Sequence, residues 1–137
     1  MIRFGLVTQE HSMGCAVACV ASLCGISYSS ALKLFDDTHL AWTRGFYCNE
    51  IVQALQKENL NFIYKKLVAS DFYFELHIAG TIVFIAPNEH YPSGHFLLKT
   101  EKGWMNPWSN FPSMNPPQSK FEEKLPGEAE YVIFRQK

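Results

Sequence analysis

From Cys15 to Leu23 the chain is small or apolar at nearly every position, with Ser22 as the one ordinary polar side chain. Such a run predicts a helix buried around most of its circumference, and Gly25 stands where a C-terminal cap glycine belongs. Ser27 occupies the N-cap position of a second helix reaching Phe35, with Ala31, Leu34 and Phe35 on one face. A third helix is predicted from about Asn49 to Glu58, turning Ile51, Val52, Ala54 and Leu55 inward.

Further along, the period changes to alternating or continuous apolar, as strands require. "NFIYKKLV" (Asn61 to Val68) is the first candidate, while "DFYFELHIAG" has room for a helical turn. "TIVFIA" (Thr81 to Ala86) predicts a buried strand, "GHFLLKT" (Gly94 to Thr100) another, and "EKG" a turn into "WMNPW". "EYVIFRQ" (Glu130 to Gln136) supplies the last strand, after a proline-rich stretch, "SNFPSMNPPQSKFEEKLPGE", that reads as a long irregular excursion. Helices first and a mostly antiparallel sheet afterwards is the α+β pattern.

Composition narrows this further. The 137 residues fit one domain, 1–137, with a substantial core, and 47% hydrophobic against 18% charged residues argues for a folded chain. Twelve lysines and arginines balance thirteen acidic residues without a basic block beyond Lys65 and Lys66, so no nucleic-acid partner is expected. No window holds eighteen uninterrupted apolar residues, and the start "MIRFGLVTQEH" lacks the pattern of a secretory leader. The expectation is a cytoplasmic protein without a membrane span, with leaderless secretion left open. Three of the four cysteines (Cys15, Cys19, Cys24, Cys48) crowd the first helix, where regular geometry holds thiols apart, so free thiols are expected. Neither cysteines nor histidines have zinc-ligand spacing, and no metal or cofactor is assigned.

The candidate chemistry starts at Cys15. A cysteine opening a helix meets the positive end of the dipole and unpaired backbone donors, both of which favour the thiolate. An isolated cysteine is most often a small buried residue like Cys19, and an isolated Gln9 a surface glutamine. Together, however, the Gln9 amide and the Cys15 backbone N–H form a candidate oxyanion hole. His95, opening a strand just after Gly94, is the candidate base, with His90 and His11 as rivals; His39 and His77 have no comparable context. Asn106 is the candidate acceptor orienting His95, with Asn110 as fallback. Hairpin register decides: a two-residue loop sets Asn106 on the face of His95, a simple three-residue loop on the other. Tyr91, Trp104, Trp108, Trp42 and Phe46 are candidate cleft walls as much as core residues.

The order glutamine, cysteine, histidine, asparagine is carried by "QEHSMGCAVACVASLCGISYSSALKLF", "TIVFIAP" and "GHFLLKTEKGWMNPW", spanning most of the chain from Gln9 to Trp108. In these segments the chain resembles a small papain-like cysteine peptidase, nearest the bacteriocin-processing, double-glycine leader peptidase family and its stand-alone relatives. The resemblance implies a papain-like fold and a thiol peptidase acting on a peptide or protein, in which Gln9 lines the oxyanion hole, Cys15 attacks, His95 moves the proton and Asn106 orients it. The sequence departs from that family twice. Gly14 and Ala16 flank the cysteine instead of aspartate and glycine, and Asn106 replaces the usual aspartate. Both departures bear on substrate more than on reaction type. A cell-wall peptide amidase, a ubiquitin-like-tail isopeptidase or an acyl transferase would use the same centre, and a silent pseudoprotease would use the cleft only to hold a peptide.

Overall fold

The computed structural model describes residues 3–68 and 74–136. Helix α1 runs Cys15–Cys24 and ends on Gly25, whose φ of 68° is the left-handed cap geometry that glycine adopts without strain. Residues Ala16 to Ser22 are all buried, so the helix is enclosed on nearly all sides. Ser27 caps α2 (Tyr28–Leu32) by accepting the Ser30 N–H. This helix stops short of Phe35, because the chain from Lys33 onward turns away and a 3-10 segment, Thr38–Trp42, follows. Helix α3 (Cys48–Gln56) buries Ile51, Ala54 and Leu55 and leaves Val52 partly covered.

Among the described residues six strands form one sheet: β1 (Phe62–Lys66), β2 (Ile82–Ile85), β3 (His95–Thr100), β4 (Gly103–Asn106), β5 (Lys120–Glu122) and β6 (Ala129–Arg135). The order across the sheet is β1-β6-β2-β3-β4-β5, and every neighbouring pair is antiparallel. The ambiguous segment before β2 holds a 3-10 turn, Phe74–His77, while its first residues, 71–73, lie outside the described residues. One correction concerns the proline-rich stretch, which is not wholly irregular: it returns to the sheet as β5 and pairs with β4. Three residues were too short a run to read as a strand against that background.

The two faces of the sheet carry separate cores. Ile82, Phe96, Leu98, Met105 and Ile133 join the helices in the larger one; Val83, Ile85, Leu97, Trp104 and Val132 form the smaller one with Tyr91. Alternation along β3 therefore sends Phe96 toward α1 and His95 to the opposite face. With α1 packed on β3, its N-terminus comes to the end of the strand where His95 begins. Among the described residues no helix is long and apolar enough to cross a membrane.

Candidate active site

The hairpin joining β3 to β4 turns through Glu101 and Lys102, with Thr100 opposite Gly103 and Leu98 opposite Met105. Continued by one step, that register sets Asn106 across from Leu97, on the face of His95 and diagonal to it. The side chains meet: His95 Nε2 lies 2.7 Å from Asn106 Oδ1. The fallback Asn110 instead bonds its own loop, donating to the Pro116 carbonyl and accepting from the Gln118 N–H.

Asn106 is completely buried and uses its whole bonding capacity. Its Nδ2 donates to the Tyr91 hydroxyl (3.0 Å) and to Glu122 Oε2, while Oδ1 also accepts the Trp108 N–H at 3.0 Å. A flipped amide would face the Trp108 N–H with its nitrogen and the Glu122 carboxylate with its oxygen, so the orientation is determined without reference to the histidine. The proton of a neutral His95 then resides on Nε2, leaving Nδ1 as the basic atom of the ring. Tyr91 adds a second constraint. Its ring stacks on the imidazole at 4.1 Å with the planes 4° apart, and its hydroxyl donates to the Trp108 carbonyl. Tyr91 is itself held by Asn88, whose Oδ1 accepts the Tyr91 N–H at 2.7 Å.

Cys15 and His95 line one cavity of about 240 Å3, walled by Met13, Tyr91, Trp108 and Phe111. Cys15 keeps some exposure as a residue, unlike the fully enclosed Cys19 four residues on, although its sulfur is largely enclosed. Of the other aromatic candidates, Trp104 belongs to the smaller core, Phe46 lines a different hollow, and Trp42 is exposed between the rings of His11 and His39. His11 bonds the Tyr28 hydroxyl through Nδ1, and His90 packs edge-on against Tyr91, so neither rival has the bonding that fixes His95.

The protonation states differ from the expectation for a helix N-terminus. Burial pushes the Cys15 thiol up to about 11, outweighing the backbone N–H groups of Phe96, Ala16 and Cys15 that favour the thiolate. Burial also pulls the His95 imidazole down to about 4, against the Asn106 bond that favours its charged form, with the nearby His90 lowering it further. The resting pair is thus a neutral thiol and a neutral imidazole.

Gln9 is buried, and its backbone N–H donates to the carbonyl of Pro107, next to Asn106. Its side-chain nitrogen donates to the carbonyls of His11 at 2.9 Å and Ser12 at 3.3 Å, while Oε1 has no partner among the described residues. The amide therefore braces the turn that leads into Cys15. Glu122 escaped the sequence reading because β5 did, and Tyr91 entered it only as a wall. Among the described residues no group of three or more histidines, cysteines or carboxylates is placed to hold a metal.

Comparison with solved structures finds the same fold in the peptidase domain of Streptococcus ComA, described as a bi-functional ABC transporter involved in a quorum-sensing pathway. The TM-score is 0.62 over 96% of each chain, at 18% sequence identity. No protein-family pattern and no curated protein matches the sequence. The chain therefore shares the α+β fold of that peptidase domain, three helices against a six-stranded antiparallel sheet.

Proposed function

We propose that the protein is a papain-like cysteine peptidase with Cys15 as nucleophile, His95 as general base and then acid, and Asn106 as the residue that orients the ring. The observation that carries this is the buried His95–Asn106 bond beside a cavity that Cys15 also lines. The shared fold with a peptidase domain agrees with it.

As peptide enters, the Cys15 thiol gives its proton to His95 Nδ1 while sulfur bonds the carbonyl carbon and the π pair moves onto oxygen. The Cys15 N–H and one Gln9 amide hydrogen, released from its longer contact with Ser12, receive that oxyanion. Collapse breaks the C–N bond as His95 protonates the leaving amine; water then attacks the thioester with His95 again taking a proton, and the C–S bond breaks as that proton returns to the Cys15 sulfur and the acid leaves. With both groups neutral at rest, charge separates only when substrate is present, and the Asn106 acceptor then stabilises the imidazolium. Phe96, whose N–H faces the sulfur, also lines a second hollow of about 290 Å3 with Phe46, Tyr47, Phe84 and Tyr131, an apolar seat for a side chain of the peptide.

The test is a peptide library, with diglycine and apolar residues varied around the cut, incubated with wild type and Cys15→Ala and read by mass spectrometry. Cleavage at a consistent site by wild type alone is expected. Tight peptide binding without any cleavage contradicts the peptidase and leaves the silent-cleft alternative; cleavage only of branched or cell-wall peptides shifts the substrate class and keeps the centre.

A further inference from the structure

Asparagine and aspartate both offer an imidazole an oxygen acceptor; what separates them at position 106 is the other atom of the group. Here that atom is Nδ2, and it faces the Glu122 carboxylate and the Tyr91 hydroxyl. The pairing of β4 with β5 sets Glu122 opposite Trp104 and so on the face of Asn106, the strand neighbour two residues on. Close approach of β5 depends on Gly103: a Cβ there would lie 2.5 Å from the Glu122 backbone oxygen, and its φ of 106° disfavours any other residue.

We infer that Glu122 is a positioning residue of the proposed centre, dictating an amide at 106 and holding it so that Oδ1, and no other atom, faces His95. The inference rests on the proposed reaction for its kinetic consequence and on the hydrogen bonds alone for its structural one. An aspartate at 106 would set a second carboxylate oxygen against Glu122, and two carboxylates in contact do not both ionise readily. Exchanging the groups, aspartate at 106 and glutamine at 122, reverses the donor and acceptor and satisfies the pair again.

The experiment compares wild type, N106D, E122Q and N106D/E122Q, using the labelling rate of Cys15 by a peptide electrophile at about pH 8.5, where a proton shared between carboxylates is held least. N106D is expected to react slower than wild type by about tenfold or more, and the double variant to return to within about threefold of wild type. In E122Q the partner of Nδ2 can present either its oxygen or its nitrogen, so the hold on Asn106 loosens and labelling is expected to slow by about threefold or more; a rate equal to wild type overturns the holding role. N106D equal to wild type, or a double variant no faster than N106D, overturns the inference. An N106D that unfolds while the double variant folds reports the same repulsion and supports it. The 15N resonances of the His95 ring give a readout that needs no turnover. Wild type and the double variant are expected to hold the proton on Nε2, and a wild-type ring protonated on Nδ1 overturns the inference. Wild type that takes no label at Cys15 but shows the Nε2–H ring removes the proposed reaction and leaves the positioning intact.

Discussion

Gly14 illustrates how one atom decides the surroundings of the proposed nucleophile. A Cβ at this position would lie 2.0 Å from the Tyr28 hydroxyl oxygen, which itself bonds His11. The aspartate usual before the nucleophile in the family the sequence resembles therefore has no room here. Gly14→Ala is expected to lower stability by about 1–3 kcal/mol in denaturant unfolding. The same change in a Tyr28→Phe background is expected to cost less, because the colliding oxygen is gone; equal costs in both backgrounds contradict the collision. Cys15, His95, Asn106 and Gln9 stood out in the sequence through their order and their positions at element ends. Their protonation was not legible there, since the helix terminus was visible but the burial of the sulfur was not. With the thiol raised to about 11, the thiolate fraction grows as pH rises toward that value. Alkylation of Cys15 by a small neutral reagent is accordingly expected to accelerate steadily with pH up to about 8 and beyond. A rate already on a plateau across the acidic to neutral range would reveal a preformed thiolate–imidazolium pair instead.

At the level of elements, α1 and the β3–β4 hairpin were readable because each has a strong local signature: an unbroken small apolar run closed by Gly25, and two apolar strands about a short turn. The register of that hairpin was narrowed to two possibilities by residue counting, and the structure adopts the two-residue turn. Strand β5 had no such signature, since it is three residues long and its place is set by β4 rather than by its own pattern. Gly103 marks that dependence. Gly103→Ala is expected to destabilise the fold by about 2 kcal/mol, through both the positive φ and the contact with Glu122. Faster amide exchange should then concentrate in β4 and β5; an effect spread evenly over the sheet counts against a local cause.

For the whole molecule, the burial that shapes the site also ties stability to pH. His95 binds a proton at about pH 4 when folded, whereas an unfolded histidine does so near its ordinary 6.5. Between those values the unfolded chain takes up a proton that the folded one refuses. The stability present above pH 6.5 is therefore lost as pH falls toward 4, by about 3 kcal/mol from this group. Thermal unfolding across that range should fall more steeply for wild type than for His95→Gln, and parallel curves contradict the assignment. The site joins the start of α1 to the far face of the sheet, so only the packing of helix on strand brings sulfur and imidazole to one cavity. The most direct measurement of that union maps the adduct of a peptide electrophile at about pH 7.5, comparing Cys15 with the partly exposed Cys24 and Cys48, in wild type and in His95→Gln. A catalytic pair predicts one adduct, on Cys15, that His95→Gln loses; label spread over the other thiols, or unchanged on Cys15 without the imidazole, would contradict it.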